Sequence, residues 1–436
     1  MGSGSSLRHH ELSHVGLRRA NNQDARGVVE PWSREQYRRR GWLFVVADGM
    51  GAHAAGEEAS ALAVQEVTAT YEKLAARSPP LALRTSIEDA NAKIHARGES
   101  SPDLKGMGTT CTALAILPRG ALVGHVGDSR AYRVRRGMIE QLSRDHSLVW
   151  DLEAQGGADA VLPAGVPRNI ITRSMGPHPQ VQVDLEGPFP VEADDVYVLC
   201  SDGLSGQVAD EEIGALAEAL PPKEAAEALV GLALVRGAPD NVTVIVARTG
   251  DAEKSRIAPR DEPWILEQPG CRGGGRSPVP WRMLAVAAAS LLGGLVCYGL
   301  ARDSAADAWE RVFEKPAAAA ALAASGLLAL TFVGSLVTAV LGFLVPAGGG
   351  RVLALGRTIG KGPHRSHDCR PTPLLVEGIA ASVESAADGL EGQGRDDCTA
   401  PLSRARSAAA AGDFTTAFAA VAAALAAFTR SVAAAP

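Results

Sequence analysis

Short apolar runs that end at or begin after an aspartate organise the first 250 residues. Leu43-Phe44-Val45-Val46 leads through Ala47 into Asp48-Gly49-Met50-Gly51, Leu122–Gly127 into Asp128-Ser129-Arg130, and Val196–Cys200 into Ser201-Asp202-Gly203. In a fourth case Pro239-Asp240-Asn241 precedes Val242–Ala247. Continuous apolar runs of this length predict strands buried on both faces. Glu11–Gly16 predicts a further strand, as do Thr110–Ile116, Ala121–Gly127 and Ala131–Arg135; their short connections favour antiparallel pairing. Helical spacing of apolar positions predicts helices over Gly56–Leu74, Leu81–Ala96 and within Glu211–Val235. Strands and amphipathic helices together give a layered α/β body.

Beyond residue 250 the pattern changes. Residues 251–280 hold five Pro and four Gly and read as an extended linker, set at 251–282. Met283–Ala301 and Ala317–Val345 then run nineteen and twenty-nine residues without a charge. About 20 apolar residues span the hydrocarbon core as a helix, so 283–301 and 317–345 are expected to form a transmembrane hairpin. Arg272, Arg276 and Arg282 before it, with Arg351, Arg357, Lys361 and Arg365 after it, place both outer ends in the cytoplasm. The tail, 374–430, carries two apolar stripes: Leu375, Ile379, Val383, Ala386, Leu390, and Phe414, Phe418, Val421, Leu425, Phe428, the latter with Asp413 as N-cap. Each stripe calls for a partner, either the other stripe or another chain.

Two polar stretches read as unstructured: the Gly/Ser-rich residues 1–10, expected to be disordered, and 28–41 with Arg34, Arg38, Arg39 and Arg40, expected to be a solvated loop. A net charge of −6 gives no nucleic-acid footprint. Six scattered cysteines without a C-x-x-C pair suit unpaired thiols in a reducing compartment; Cys111 and Cys200 lie in apolar strands as core residues.

The aspartates are the candidate chemistry. Asp48, Asp128, Asp202 and Asp240, with Asp24 in Asn21-Asn22-Gln23-Asp24, would repel one another and raise each other's pKa values if they converged. Divalent cations remove that repulsion, and oxygen ligands without a local Cys/His cluster favour magnesium or manganese over zinc.

Arg19-Ala20-Asn21-Asn22-Gln23-Asp24, Asp48-Gly49-Met50-Gly51, Gly106-Met107-Gly108-Thr109-Thr110, Gly127-Asp128-Ser129-Arg130, Ser201-Asp202-Gly203 and Asp240-Asn241 resemble, in order and spacing, the motifs of the type 2C metal-dependent protein phosphatases, the bacterial branch especially. The resemblance covers roughly residues 11–249. It implies a four-layer α-β-β-α sandwich of two antiparallel sheets flanked by helices, here at 11–250, followed by the hairpin and the helical tail. It implies a phosphoserine/phosphothreonine phosphatase that uses a metal-bridging hydroxide and two Mn2+ or Mg2+ ions, with a third, weaker site. Asp48 would bridge both ions, the Gly49 carbonyl would ligate one, Asp202 and Asp240 the other, and Asp24 would act directly or through water. Asp128 would hold the third ion, and Arg19 would bind the phosphate. Phosphorylated proteins and a cognate serine/threonine kinase are the implied partners, with a multi-pass cell-membrane location and the catalytic unit and tail cytoplasmic. The rival is a phosphatase-like module that binds phosphoproteins without cleaving them. Three departures bear on this: Gln23 replaces an acid found in many relatives, Met50 stands where some carry a general-acid His, leaving nearby His53 or water for that role, and Gly156–Pro167 replaces the usual polar helix of a flap between Asp145-His146-Ser147 and Arg168–Arg173.

Overall fold

The computed structural model describes residues 7–51, 55–156, 170–256, 262–266, 288–296, 320, 323–333, 352–390 and 392–433. The chain opens with β1 (Arg8–His14), β2 (Asp24–Val29), a short helix α1 (Arg34–Arg40) and β3 (Trp42–Met50). The helices α2 (Ala55–Lys73) and α3 (Pro79–Glu99) precede β4 (Gly108–Thr109), β5 (Cys111–Leu117), β6 (Gly120–Val126), β7 (Arg130–Arg135) and β8 (Met138–Gln141). Then come α4 (Leu148–Gly156), β9 (Asp184–Phe189), β10 (Val196–Cys200), α5 (Asp202–Ser205), α6 (Asp210–Ala219), α7 (Pro222–Val235) and β11 (Val242–Arg248). Within the helical span expected over Glu211–Val235, Pro221 and Pro222 separate α6 from α7, because proline is accepted in a first helical turn and rejected within a helix.

One sheet runs β2-β3-β5-β6-β9 with β4 added to β3, and every pairing along it is antiparallel. In the other sheet β1, β11, β10, β7 and β8 lie in that order, also antiparallel. Trp42, Phe44, Val46, Leu114 and Ile116 of the first sheet pack against Ala131, Tyr197, Leu199, Ile245 and Ala247 of the second. Alternate residues of the second sheet, among them Val134, Val198 and Val246, face α6 and α7. On the far side of the first sheet, Leu83 and Ile87 of α3 lie so close to Gly124 of β6 that a Cβ there would stand 2.9 Å from each. These are the four layers of the expected sandwich.

Two polar stretches are ordered. β1 begins at Arg8, inside the span expected to be disordered, because its backbone pairs with β11 along its whole length; residues 1–6 lie outside the described residues. The arginine-rich loop expected over 28–41 contains α1, capped by Ser33, whose Oγ accepts from Gln36 N at 3.1 Å. Arg40 is buried against the Tyr71 ring, 5.1 Å from its centroid.

The chain divides into two compact units, Met1–Trp264 with Leu353–Pro436, and Ile265–Val352. The first unit is left through β12 (Trp264–Ile265) and re-entered through β13 (Val352–Leu353), which pair with each other. In the second unit, helix α8 (288–296) and helix α9 (Ala323–Val333) are described. They meet through small residues: a Cβ on Gly293 would stand 3.2 Å from Leu328 Cδ1. Leu291, Leu292, Leu295, Leu327, Leu330 and Val333 are exposed. Most of 283–301 and 317–345, and the linker 267–282, lie outside the described residues.

After β13, β14 (Arg365–Asp368) extends the second sheet by pairing with β8. The tail helices α10 (Pro373–Ala387), α11 (Gln393–Ala410) and α12 (Phe414–Ala433) follow. The sequence set this tail apart from the body at 11–250; in the first unit its stripes share one apolar core with α6 and α7, forming a fifth layer. Val376, Ile379, Val383, Phe418, Val421 and Leu425 are fully buried there. Asp413 caps α12, its Oδ1 accepting from Thr416 N at 3.1 Å. Among the described residues α12 alone is long and apolar enough to cross a bilayer, but its apolar face is covered by this core. Cys111, Cys200, Cys369 and Cys398 are free, buried thiols.

Candidate metal centre

Strand pairing brings the first two aspartates together. Asp24 of β2 and Asp48 of β3 are direct cross-strand partners, an arrangement that is unfavourable for like charges without compensation. Asp48 is fixed through its backbone: its N–H donates to Thr110 Oγ1 at 2.9 Å, and its carbonyl accepts from Thr110 N at 2.8 Å and from Thr109 Oγ1 at 2.9 Å. Thr110 in turn meets Ser129 Oγ at 2.7 Å, which ties β3 to the loop of Asp128. The glycine after Asp48 is required by the start of α2, since a Cβ on Gly49 would stand 2.1 Å from Gly56 O.

A second close approach delivers the other acids. A Cβ on Gly203 would fall 1.9 Å from the Asn241 carbonyl oxygen, so only glycine lets the turn after Asp202 lie against the turn that carries Asp240. Asn241 is itself buried and joins three segments. Its Oδ1 accepts from Gln23 N at 2.8 Å, and its Nδ2 donates to Val15 O at 2.8 Å and Asn21 O at 3.0 Å. The sequence quoted Asn241 within a motif without giving it a task; its signal was an amide beside a motif aspartate, legible only once the partners are known.

Charge coupling shows that the five acids share one neighbourhood. Burial, and then the charges of Asp24, Asp202, Asp128 and Asp240, raise the Asp48 carboxyl well above the usual range. Burial lifts Asp24 to about 6 against the hydrogen bond from Ser201 Oγ, and lifts Asp128 to about 7 with Asp202 adding to the rise. Asp202 is raised by burial and by Asp240. Arg19 stands at the rim, about half exposed, and donates from Nη2 to Asp240 Oδ2 at 2.6 Å. Its pKa is raised by that hydrogen bond.

Among the described residues no three His, Cys, Asp or Glu groups already close around one point, and Arg19 holds Asp240. The donor set nevertheless fits hard divalent cations. Asp24 Oδ1, Asp128 Oδ1 and Asp202 Oδ1 are buried without any hydrogen-bond partner, and an uncompensated buried carboxylate oxygen is costly unless a cation reaches it. Gln23 lies against α2, where a Cβ on Gly56 would stand 2.9 Å from its Cδ. His53 and the segment 157–167 lie outside the described residues.

Beside this basin, His125 is fully buried and neutral, meeting Thr112 Oγ1 through Nδ1 and donating from Nε2 to Gly127 O, both at 2.9 Å. Burial, helped by His146, pushes its pKa down to about 3. The unfolded chain takes up a proton near 6.5 that the folded chain refuses, so this histidine removes stability as pH falls from about 6.5 toward 3. Urea titrations between pH 7 and 4 are expected to show a shallower acid loss for His125→Gln than for the parent; equal slopes would refute it.

The family model described as protein phosphatase 2C matches residues 17–230. The serine/threonine protein phosphatase PstP of Mycobacterium tuberculosis is 36% identical over 254 residues, covering 58% of this chain and 47% of that protein, so the chain spans about half the length of that relative. The serine/threonine phosphatase stp of Listeria monocytogenes is 34% identical over 252 residues, covering 56% of this chain and 96% of the relative. Among solved structures, the catalytic domain of PstP in complex with two manganese ions is 37% identical, with a TM-score of 0.46 over 56% of this chain and 99% of that one. With nearly the whole Listeria protein matched and the motif aspartates gathered in one basin, this chain belongs to the protein phosphatase 2C family of bacterial serine/threonine phosphatases.

Proposed function

We propose that the protein is a manganese- or magnesium-dependent phosphatase of phosphoserine and phosphothreonine in proteins, held at the membrane by a helical hairpin. The observation that carries the reading is the set of buried, unpartnered oxygens of Asp24, Asp128 and Asp202 around Asp48. Asp24, Asp48, Asp202, Asp240 and the Gly49 carbonyl would hold two ions, and Asp128 a third. When bound, such a pair lowers the pKa of water and neutralises phosphoryl charge. Arg19 would bind and orient the phosphoryl group, since a guanidinium forks onto two oxygens, with Asp240 holding it in place and Asn241 holding Asp240's turn against the Asn21–Gln23 segment.

Membrane attachment is supported by the second unit. Helices that meet through glycine and serine while turning leucines outward suit lipid rather than water. Because the first unit includes chain on both sides of the insert, any crossing occurs an even number of times, which suits a hairpin with catalytic unit and tail both cytoplasmic.

The full chain in detergent is expected to hydrolyse a chromogenic phosphate ester with manganese, to lose turnover on chelation, and to melt at higher temperature when manganese is added. A folded protein that binds manganese by calorimetry without turnover would favour the non-cleaving phosphoprotein-binding reading, for which the uncharged Gln23 speaks. Absence of both binding and turnover would refute the metal centre.

A further inference from the structure

The segment that returns the chain from the apolar insert, Leu353–Asp368, does more than lead into the tail. It wraps the flank of α4. The Arg365 guanidinium stacks over the Trp150 ring at 3.9 Å and pairs with Glu153. His364 meets the same ring edge-on and lies 3.2 Å from Glu186 Oε1, while Glu186 Oε2 accepts from the N–H groups of Lys361 and Gly362, each at 2.8 Å. Ile359 bridges to Gly187. The return segment is therefore anchored on β9, and Arg365 reaches from that anchor to α4.

The other end of α4 leads to the acids. Leu148 lies two residues after His146, whose N–H donates to Gly127 O at 2.7 Å and whose Nδ1 accepts from Gly127 N at 3.0 Å; Asp128 follows Gly127. Asp145 holds Arg130, two residues beyond Asp128, with its Oδ2 accepting from Nη2 at 2.7 Å. Leu148–Glu153, the residues of α4 whose side chains are described, are all only partly buried, so in this part of the helix specific polar and ring contacts, those of Arg365 and of Asp151 with Arg144 and Thr172 among them, fix its angle.

We propose that Arg365 is a positioning residue: through Trp150 and Glu153 it sets α4 beside the metal basin, and thereby how a phosphorylated polypeptide segment is seated there. The inference rests on the phosphatase reading. A small phosphate ester needs only the basin and Arg19. A phosphopeptide must also lie across the elements that flank the basin, of which α4 is linked to the Asp128 loop through His146.

The test compares kcat and KM of the full chain on a chromogenic ester and on a phosphothreonine peptide of about ten residues, for the parent, Arg365→Ala, Glu153→Gln and their combination. Arg365→Ala is expected to raise KM for the peptide roughly tenfold with less than a twofold change on the ester, a loss of the size a cation–π contact with an ion pair supplies. Glu153→Gln, an isosteric change on a half-exposed side chain, is expected to act in the same direction. The double variant should fall short of the product of the two, and Arg365→Lys should recover part of the loss by keeping the charge. An unchanged peptide KM in Glu153→Gln and Arg365→Ala would overturn the inference, and so would equal losses on both substrates. Absence of ester turnover in the parent would overturn the phosphatase reading and this inference with it.

Discussion

Asp48→Asn is expected to abolish turnover while making the metal-free protein harder to unfold. The carboxylate lies opposite Asp24 in register and within the field of three further acids, so as the proposed bridging ligand it has no substitute. A loss of at least about 10³-fold, the scale on which removal of one key electrostatic group acts, is the expected result. Stability moves the other way. A buried carboxyl whose folded-state pKa is raised costs stability at every pH above its ordinary value, because the unfolded chain ionises more readily. Removing that charge is worth on the order of 1–3 kcal/mol, or several degrees in melting temperature. Under chelation the Asp48→Asn variant should therefore melt higher than the parent, and manganese should raise the parent's melting temperature by more than the variant's. A variant that retains turnover would sink the proposed role of Asp48, and one that melts lower without metal would sink the account of repulsion.

Cutting the chain after residue 250 is expected to yield insoluble or aggregated protein, whereas excising 266–351 and joining the ends through a short glycine-serine linker should yield a soluble, folded one. Without the tail, the core shared by α7 and α10–α12 loses Val376, Ile379, Phe418, Val421, Leu425 and Phe428. A Cβ on Gly231 of α7 would stand only 3.1 Å from Leu425 Cβ, which shows how closely α12 covers that helix. Burying each such side chain contributes about 1.5–3 kcal/mol, and together they rival the roughly 5–15 kcal/mol by which a domain is stable at all. Excision leaves this core intact, and β12 already lies beside β13, so a short linker closes the gap. Size-exclusion chromatography and circular dichroism decide the matter. A monomeric 1–250 fragment with the parent's melting temperature would refute the structural role of the tail. An excised protein that still sediments with membranes would refute the hairpin as anchor.

The body of the sandwich was legible because buried strands of a two-sheet core must be apolar throughout, and Leu43–Ala47, Val196–Cys200 and Val242–Ala247 are. The acids were legible from their place at the ends of those strands. What escaped notice is polar. Arg8–His10, ahead of the strand expected at Glu11–Gly16, and Arg365–Asp368 carry no apolar residues, and only their backbone pairing with β11 and β8 makes them strands. α1 lacks an apolar stripe and is set by a cap and by one buried arginine. Asn241 and Gly203 act through contacts hundreds of residues apart or at separations that only a folded chain defines. The tail stripes were visible, but a stripe does not encode what it will cover, and α7 was not identifiable as their partner.

The order of synthesis gives the pairing of α7 with the tail a temporal meaning. A ribosome releases α7 well before residues 373–433, so the apolar side of α7 has no cover until the insert between them has left the exit tunnel. Completion of this core is thereby postponed until the apolar insert has been made, and a nascent chain stalled before residue 373 carries a sandwich body with its fifth layer still missing.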